Sequence, residues 1–313
     1  MYQSRRVAIV IPAHNEAAHI AQVLRKIPDF ADWAIVVDDA STDGTSEAAL
    51  AVADPRLILL RNDKNQGLGG TMIAGYRKAM ELNADILVKV DGDDQMDLSL
   101  LTHLIDPLVE QGYDYAKGNR FLAAESLSFM PKHRLLGNIG MTFLTKMASG
   151  YWNIFDPQNG YTAIKVSALR AIDLEKLHRG FFFENDILCH LNLIQGRVKD
   201  VAMPAKYGEE VSDLNPFHVG LTFPLLLLRR FARRVYQRYI LRDFSPIALF
   251  LFSGLLTFGW GLGFGLYLWI HAIVTGTAQP TPTGTIMLAL LPMILGFQLL
   301  LQAVLLDIQE TPK

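Results

Sequence analysis

The sequence predicts an α/β domain built on a mostly parallel sheet, followed by an amphipathic basic helix and two membrane-spanning helices. Three observations predict it. From Val7 to about Val201, short β-branched apolar runs alternate with helical stretches, the pattern of βαβ units. Between Leu228 and Phe244 stand six arginines. Beyond them lie two long spans without Asp, Glu, Lys or Arg.

The elements follow in order. VAIVI (Val7 to Ile11) reads as a buried strand ended by Pro12, and Ala17 to Ile27 as a helix closed by Pro28. AIVV (Ala34 to Val37) is a second strand, stopping at Asp38 and Asp39, and the turn STDGT leads into a helix from Ser46 to Ala53. LILL (Leu57 to Leu60) is a third strand, followed by a helix from Gly67 to Leu82 and by the strand ILVKV. Weaker strands are expected at Tyr113 to Lys117, Thr162 to Val166 and Val198 to Val201. Helices are expected at Leu98 to Glu110, Arg134 to Gly150 and Asn185 to Gln195. The chain has no internal repeat and no low-complexity linker.

After Pro216 the character changes. On a helical wheel through LLLLRRFARRVYQRYILR, Leu228, Phe231, Ala232, Val235 and Tyr239 share one side. Arg229, Arg230, Arg233, Arg234 and Arg238 take the other, as suits a helix lying in an anionic membrane interface. A partner-binding helix would share that pattern. Pro246 to Gly276 and Ile286 to Leu306 are each long enough to cross about 30 Å of hydrocarbon. The connection GTAQPTPTG carries no Lys or Arg, so the positive-inside rule places the arginines, the large domain and the tail in the cytoplasm. The expected organisation is 1–215 for the α/β domain, 216–243 for a juxtamembrane helical segment and 244–313 for a transmembrane hairpin with spans at about 246–274 and 285–306. In a bacterium this would be an integral protein of the cell inner membrane. Arg5 and Arg6 precede too short an apolar run for a signal peptide. A net charge of −2 gives no global bias towards nucleic acid, and one cysteine, Cys189, excludes an intramolecular disulfide and a cysteine-rich zinc site.

Three acidic stations fall at strand ends: Glu16, Asp38 with Asp39, and the stretch ILVKVDGDDQMD, where Asp91, Asp93, Asp94 and Asp97 crowd together. Open α/β sheets bind ligands at the carboxyl ends of their strands. Carboxylates gathered there repel one another unless a cation sits between them, most simply a hard divalent ion. An acidic turn with Asp97 capping the next helix is the plainer alternative. A nucleotide would fit such an edge, but GxGxxG is absent after the first strand, where Pro-Ala-His-Asn-Glu stands, and there is no Walker A sequence. Gly67, Gly69 and Gly70 could cradle phosphate or simply open a helix.

VIPAHNE (Val10 to Glu16), VVDDASTDGT (Val36 to Thr45) and VDGDDQ (Val90 to Gln95) resemble the inverting family 2 glycosyltransferases of GT-A fold. YDYAKGNRF, FDPQNGYTAI and FFFENDILCHLNL narrow the resemblance to the dolichyl-phosphate mannose synthase-like branch, which moves a sugar from a nucleotide donor to a polyprenyl phosphate. It runs from about Val7 to the C-terminus, since bacterial members also end in a juxtamembrane helix and two spans. The resemblance implies Pro12, His14 and Glu16 in the first nucleotide loop, and Val37 and Asp39, with Asp38 beside them, in base recognition. It implies Asp91 and Gly92 on the donor, Asp93 and Gln95 on Mg²⁺ or Mn²⁺, and Arg120 on the phosphates. It also implies a homo-oligomer, as related proteins assemble as tetramers.

A lipid phosphate is already anionic and is its own nucleophile, so cations matter more than a base. Lys117, Lys132, His133 and Arg134 are available, the last three also readable as a solvated helix start. Where the family pattern puts an Arg and a Ser-Lys pair after the last strand, this chain has AKYGEEVSDL, leaving Lys206 as a substitute. Glu184 and Asp186 match the acidic position that acts as base when a sugar hydroxyl accepts; here ordering basic residues or a helix N-terminus suits them better. A processive polysaccharide synthase would carry a QxxRW-type motif and more spans, and neither is present. A degenerate membrane scaffold would have no need of Asp91, Asp93 and Gln95.

Overall fold

Each apolar run of the first ninety residues becomes a strand: β1 (Val7–Ala13), β2 (Trp33–Asp38), β3 (Leu57–Arg61) and β4 (Ile86–Lys89). The computed structural model describes residues 1–122, 132–204, 216–276 and 281–313, with the backbone alone for 132–136 and 216–219. Every residue of β1 is buried because both faces of the sheet are covered. Its alternation divides two cores: Val7, Ile9 and Ile11 enter one, Ala8 and Val10 the other. Each fully buried Val or Ile contributes about 1.5–3 kcal/mol.

Three further strands, β5 (Tyr115–Asn119), β6 (Thr162–Lys165) and β7 (Val198–Ala202), complete a sheet of seven among the described residues, in the order β3-β2-β1-β4-β6-β5-β7. β6 runs antiparallel to both neighbours, and every other pairing is parallel. Helices α1 (Ile20–Arg25), α2 (Thr45–Leu50), α3 (Gly67–Glu81), α4 (Leu101–Glu110), α5 (Lys132–Ser149), α6 (Val166–Arg170) and α7 (Phe183–Leu193) flank it. α1 and α2 are shorter than the sequence pattern suggests. Asp97 caps a 3₁₀ turn, Leu98–Leu100, through Ser99 N–H, rather than starting α4 itself.

Helix α8 (Pro216–Arg234) runs into a π-helical turn, Val235–Arg242. The chain forms two compact units, Met1–Phe231 with Pro312–Lys313, and Ala232–Thr311, so the division falls inside α8. In the first unit, Phe223 and Leu227 of α8 pack with Ala148, Phe182 and Cys189. In the second, Ser245 caps α9 (Pro246–Thr275) by accepting from Ile247 N–H, with Pro246 in the first turn. α9 packs closely on α10 (Thr283–Gln309): a Cβ on Gly261 would meet Ala289 O at 2.5 Å. Both are long and apolar enough to cross a membrane, and Leu256, Trp260, Trp269 and Leu288 point outward.

The arginine face differs from the wheel. Arg234 is 1% and Arg238 7% exposed, and both turn inward. Arg234 Nη1 pairs with Asp307 Oδ1 at 2.6 Å, and Arg238 Nη2 reaches the Glu310 carbonyl at 2.8 Å. Leu228, on the apolar side of the wheel, is exposed. Arg234 and Arg238 are drawn inward by acceptors at the C-terminal end of α10, Asp307 and Glu310, which a helical wheel of this segment does not include.

Candidate active site

The registers of β1, β2 and β4 bring their carboxyl ends to one edge. Ala13 lies opposite Asp38, and Val10 opposite Lys89. Asp39 N–H donates to Ala13 O at 2.8 Å, and His14 Nδ1 lies 2.8 Å from Asp39 O. Gly92 lies against the first loop, where a Cβ would fall 3.4 Å from Pro12 O and 3.2 Å from Glu16 Cγ. The segments around Pro12, His14 and Glu16, around Val37 and Asp39, and around Asp91 and Gly92 are therefore neighbours.

Within the acidic stretch each carboxylate has its own environment. Asp93 Oδ1 accepts from Gln95 N–H at 3.0 Å, closing a turn within the loop after β4. Asp94 pairs with Lys26, with Nζ 2.6 Å from Oδ1. Asp91 Oδ1 lies 2.7 Å from Lys89 Nζ, which is also 3.2 Å from Glu184 Oε1. Burial by itself would lower the Lys89 pKa, yet Asp91 and Glu184 raise it, so the ammonium is charged. Burial pushes the Glu184 carboxyl up, against the pull of Lys89. The cation expected between these carboxylates thus includes one supplied by the chain. Lys89 was missed in the sequence, although a lysine inside an apolar strand two residues before a carboxylate was a usable signal.

Among the described residues no three His, Cys, Asp or Glu side chains converge as a preformed metal cage. Mg²⁺ is usually held by one or two carboxylates together with substrate phosphates and waters. Asp93 and Gln95 stand two residues apart in one turn, and their side chains carry hard oxygens of the kind that mode uses.

Arg120, at the end of β5, is held by Asp156: Nε and Nη2 each lie 2.7 Å from a carboxylate oxygen. Burial would raise the Asp156 pKa, but hydrogen bonds from Arg120 and the charges of Arg120 and Lys117 keep it below the ordinary value. Arg120 remains partly exposed, its fork fixed by a buried anion.

Other predicted residues are redirected. Lys117 is 1% exposed, and its Nζ donates to Phe155 O at 2.6 Å, Gly118 O at 3.1 Å and Asp200 Oδ1 at 3.2 Å. It is a core cation and not a cation for an acceptor phosphate. Asp38 is wholly buried and accepts from Ser41 N–H at 2.8 Å and from Ser46 Oγ, so it builds its own turn and does not face a base. Asp39 is 3% exposed and accepts from Gln66 N–H, Gly67 N–H and Asn62, tying β2 to the start of α3. Gly67 and Gly69 serve close packing: a Cβ on Gly69 would fall 2.0 Å from His178 O. Gly70 N–H donates to Arg179 O at 2.9 Å, so these glycines lie under the loop before α7 and form no phosphate cradle. Asp186 is wholly buried, with Arg230 Nε 2.6 Å from Oδ1 and His178 N–H donating to Oδ2. The side chain of Arg134, with those of Lys132 and His133, and all of Lys206 lie outside the described residues.

Known proteins resemble this chain over the same region. The profile "Glycosyl transferase family 2" matches residues 8–173. A UDP-N-acetylglucosamine–dolichyl-phosphate N-acetylglucosaminyltransferase of Methanococcus voltae is 30% identical over 181 residues, 53% of this chain and 72% of that protein. An undecaprenyl-phosphate mannosyltransferase of Micrococcus luteus is 30% identical over 201 residues, 63% of this chain and 82% of that one. The glucosyl-3-phosphoglycerate synthase of Mycobacterium tuberculosis, solved with Mn²⁺, UDP and phosphoglyceric acid, superposes with a TM-score of 0.54 at 17% identity, over 74% of this chain and 78% of that chain. That likeness establishes the GT-A architecture of the sheet and its flanking helices.

Proposed function

This chain belongs to glycosyl transferase family 2, and we propose that it is an inverting, metal-dependent enzyme that moves a sugar from a nucleotide-sugar donor to a polyprenyl phosphate. The product is a polyprenyl-phosphate sugar, a building block for glycan or glycoconjugate modification. The observation that carries this reading is the single sheet edge where Asp91, the Asp93–Gln95 turn and the first nucleotide loop meet, in a chain with two helices apolar enough to cross a membrane. Both named relatives use a lipid phosphate acceptor but transfer different sugars. The acceptor class therefore comes to this chain, and the sugar stays open among UDP-glucose, UDP-galactose, UDP-N-acetylglucosamine and GDP-mannose.

In this reading an oxygen of the lipid phosphate attacks the anomeric carbon, the bond from that carbon to the donor diphosphate breaks, and the nucleoside diphosphate leaves with the electron pair. Mg²⁺ or Mn²⁺, held by Asp93 and Gln95, would neutralise the leaving diphosphate. Arg120, kept in place by Asp156, adds a second positive charge at the phosphates. Pro12, His14 and Glu16 frame the nucleoside, Val37 and Asp39 fix the end of β2 and the start of α3 beside them, and Asp91 with Gly92 faces the donor. Glu184 and Asp186, each paired to a buried or half-buried cation, serve structure rather than proton abstraction. The catalytic domain faces the cytosol, with the basic helix in the interface of the inner membrane if the source is bacterial, and a homo-oligomer is part of the proposal.

The donor side is tested by a thermal-shift screen of UDP- and GDP-sugars with Mn²⁺. One nucleotide class should raise Tm by several degrees, and less so with EDTA. No shift with any of them would contradict the reading.

A further inference from the structure

We propose that Lys89 is a positioning residue for the donor site, a buried ammonium that fixes the orientation of Asp91 and ties it to Glu184 of α7. The inference rests on the donor role of Asp91 given above. Lys89 is 2% exposed, so it reaches a substrate only through its partners. It stands two residues before Asp91, and side chains two apart in an extended chain share a face. Of the three charged groups, Lys89 and Glu184 are buried and Asp91 alone reaches the surface. The ammonium is shared between the two carboxyl groups: Nζ lies 2.7 Å from Asp91 Oδ1 and 3.2 Å from Glu184 Oε1.

Gly160 makes room for this arrangement. A Cβ there would lie 2.3 Å from Lys89 Nζ and 2.7 Å from Asp91 Oδ2. Contacts this short force displacement, and the two side chains that would move are those that make the pair. The segment containing Gly160 also contains Asp156, the residue that grips Arg120. One loop therefore sets both the carboxylate on the donor side and the arginine assigned to the phosphates.

Replacing Lys89 alone leaves two carboxylates facing each other, which costs stability whatever its role. The test separates the two effects. Full-length protein in nanodiscs is titrated calorimetrically with UDP and with GDP, each with Mn²⁺, and its Tm is measured, for wild type, K89M, K89M/E184Q and G160A. The double variant, which loses one charge of each sign, should recover most of the Tm lost in K89M. It should still bind the nucleotide at least tenfold more weakly than wild type. G160A keeps every charge and should weaken binding about tenfold with Tm within about two degrees. Wild-type affinity in both K89M/E184Q and G160A would overturn the positioning role and leave Lys89 as a neutraliser of core charge. A wild type that binds neither nucleotide would overturn the donor reading and this proposal together.

Discussion

At the scale of single residues, the site separates groups that resemble one another in sequence. Asp91, Asp93, Asp94 and Asp97 look equivalent in ILVKVDGDDQMD, yet one pairs with a buried lysine, one forms a turn with Gln95, one meets Lys26 and one caps a 3₁₀ turn. Asp93→Ala should abolish sugar transfer while Tm stays within a few degrees, since Asp93 is partly exposed; undiminished activity of that variant would remove its metal role. Arg120→Ala should weaken nucleotide binding about tenfold, and an unchanged Kd by calorimetry would remove that assignment. Sequence draws attention to Asp93 and Arg120 because the motifs that contain them are local. It misplaced Lys117 because the acceptors that swallow it, Phe155 O and Asp200 Oδ1, come from distant segments. Burial would raise the pKa values of Asp156 and Asp186; hydrogen bonds and charge from Arg120 at the first, and from His190 and Arg230 at the second, hold both below the ordinary carboxylate value of about 3.9. A group depressed in the folded state adds stability above its unfolded pKa and loses it as pH falls through the folded one. The urea midpoint should therefore drop on acidification below about pH 4, and D156N should flatten that drop.

At the scale of elements, the strands were legible and their neighbours were not. Continuous apolar runs announced β1, β2 and β4 as doubly covered parallel strands. That β6 inserts antiparallel between β4 and β5 depends on long-range pairing, which no local pattern encodes. The basic helix was legible as amphipathic, but the arginines it turns inward were not, because their partners are remote acids. Arg230 is the clearest instance: it reads as part of a basic face for an anionic membrane interface and pairs instead with Asp186 of α7. R230M should lower stability by about 3 kcal/mol, since Asp186 is left as a buried charge short of its main partner. R230M/D186N should regain most of it in urea unfolding, and equal losses in single and double variants would argue against the pair.

At the scale of the molecule, one unit carries the sheet and site and the other the apolar helices. The order of motifs from Val7 onward, the family match over residues 8–173 and the GT-A likeness agree on the first unit. The apolar spans were the most legible feature of all, since composition over twenty or more residues needs no tertiary context. A fragment ending at Phe231 keeps the Arg230–Asp186 pair and should bind nucleotide with wild-type affinity yet transfer poorly to long-chain lipid; full activity of it in bilayers would contradict the anchoring role. The central claim is transfer to a lipid phosphate. The most direct measurement incubates the full chain in bilayers with undecaprenyl phosphate, Mn²⁺ and a panel of UDP- and GDP-sugars, and follows the lipid by mass spectrometry. The account predicts a single hexose or N-acetylhexosamine added to the lipid phosphate, with the addition lost on EDTA treatment. Unmodified lipid across the panel, or a product formed equally well in EDTA, would contradict it.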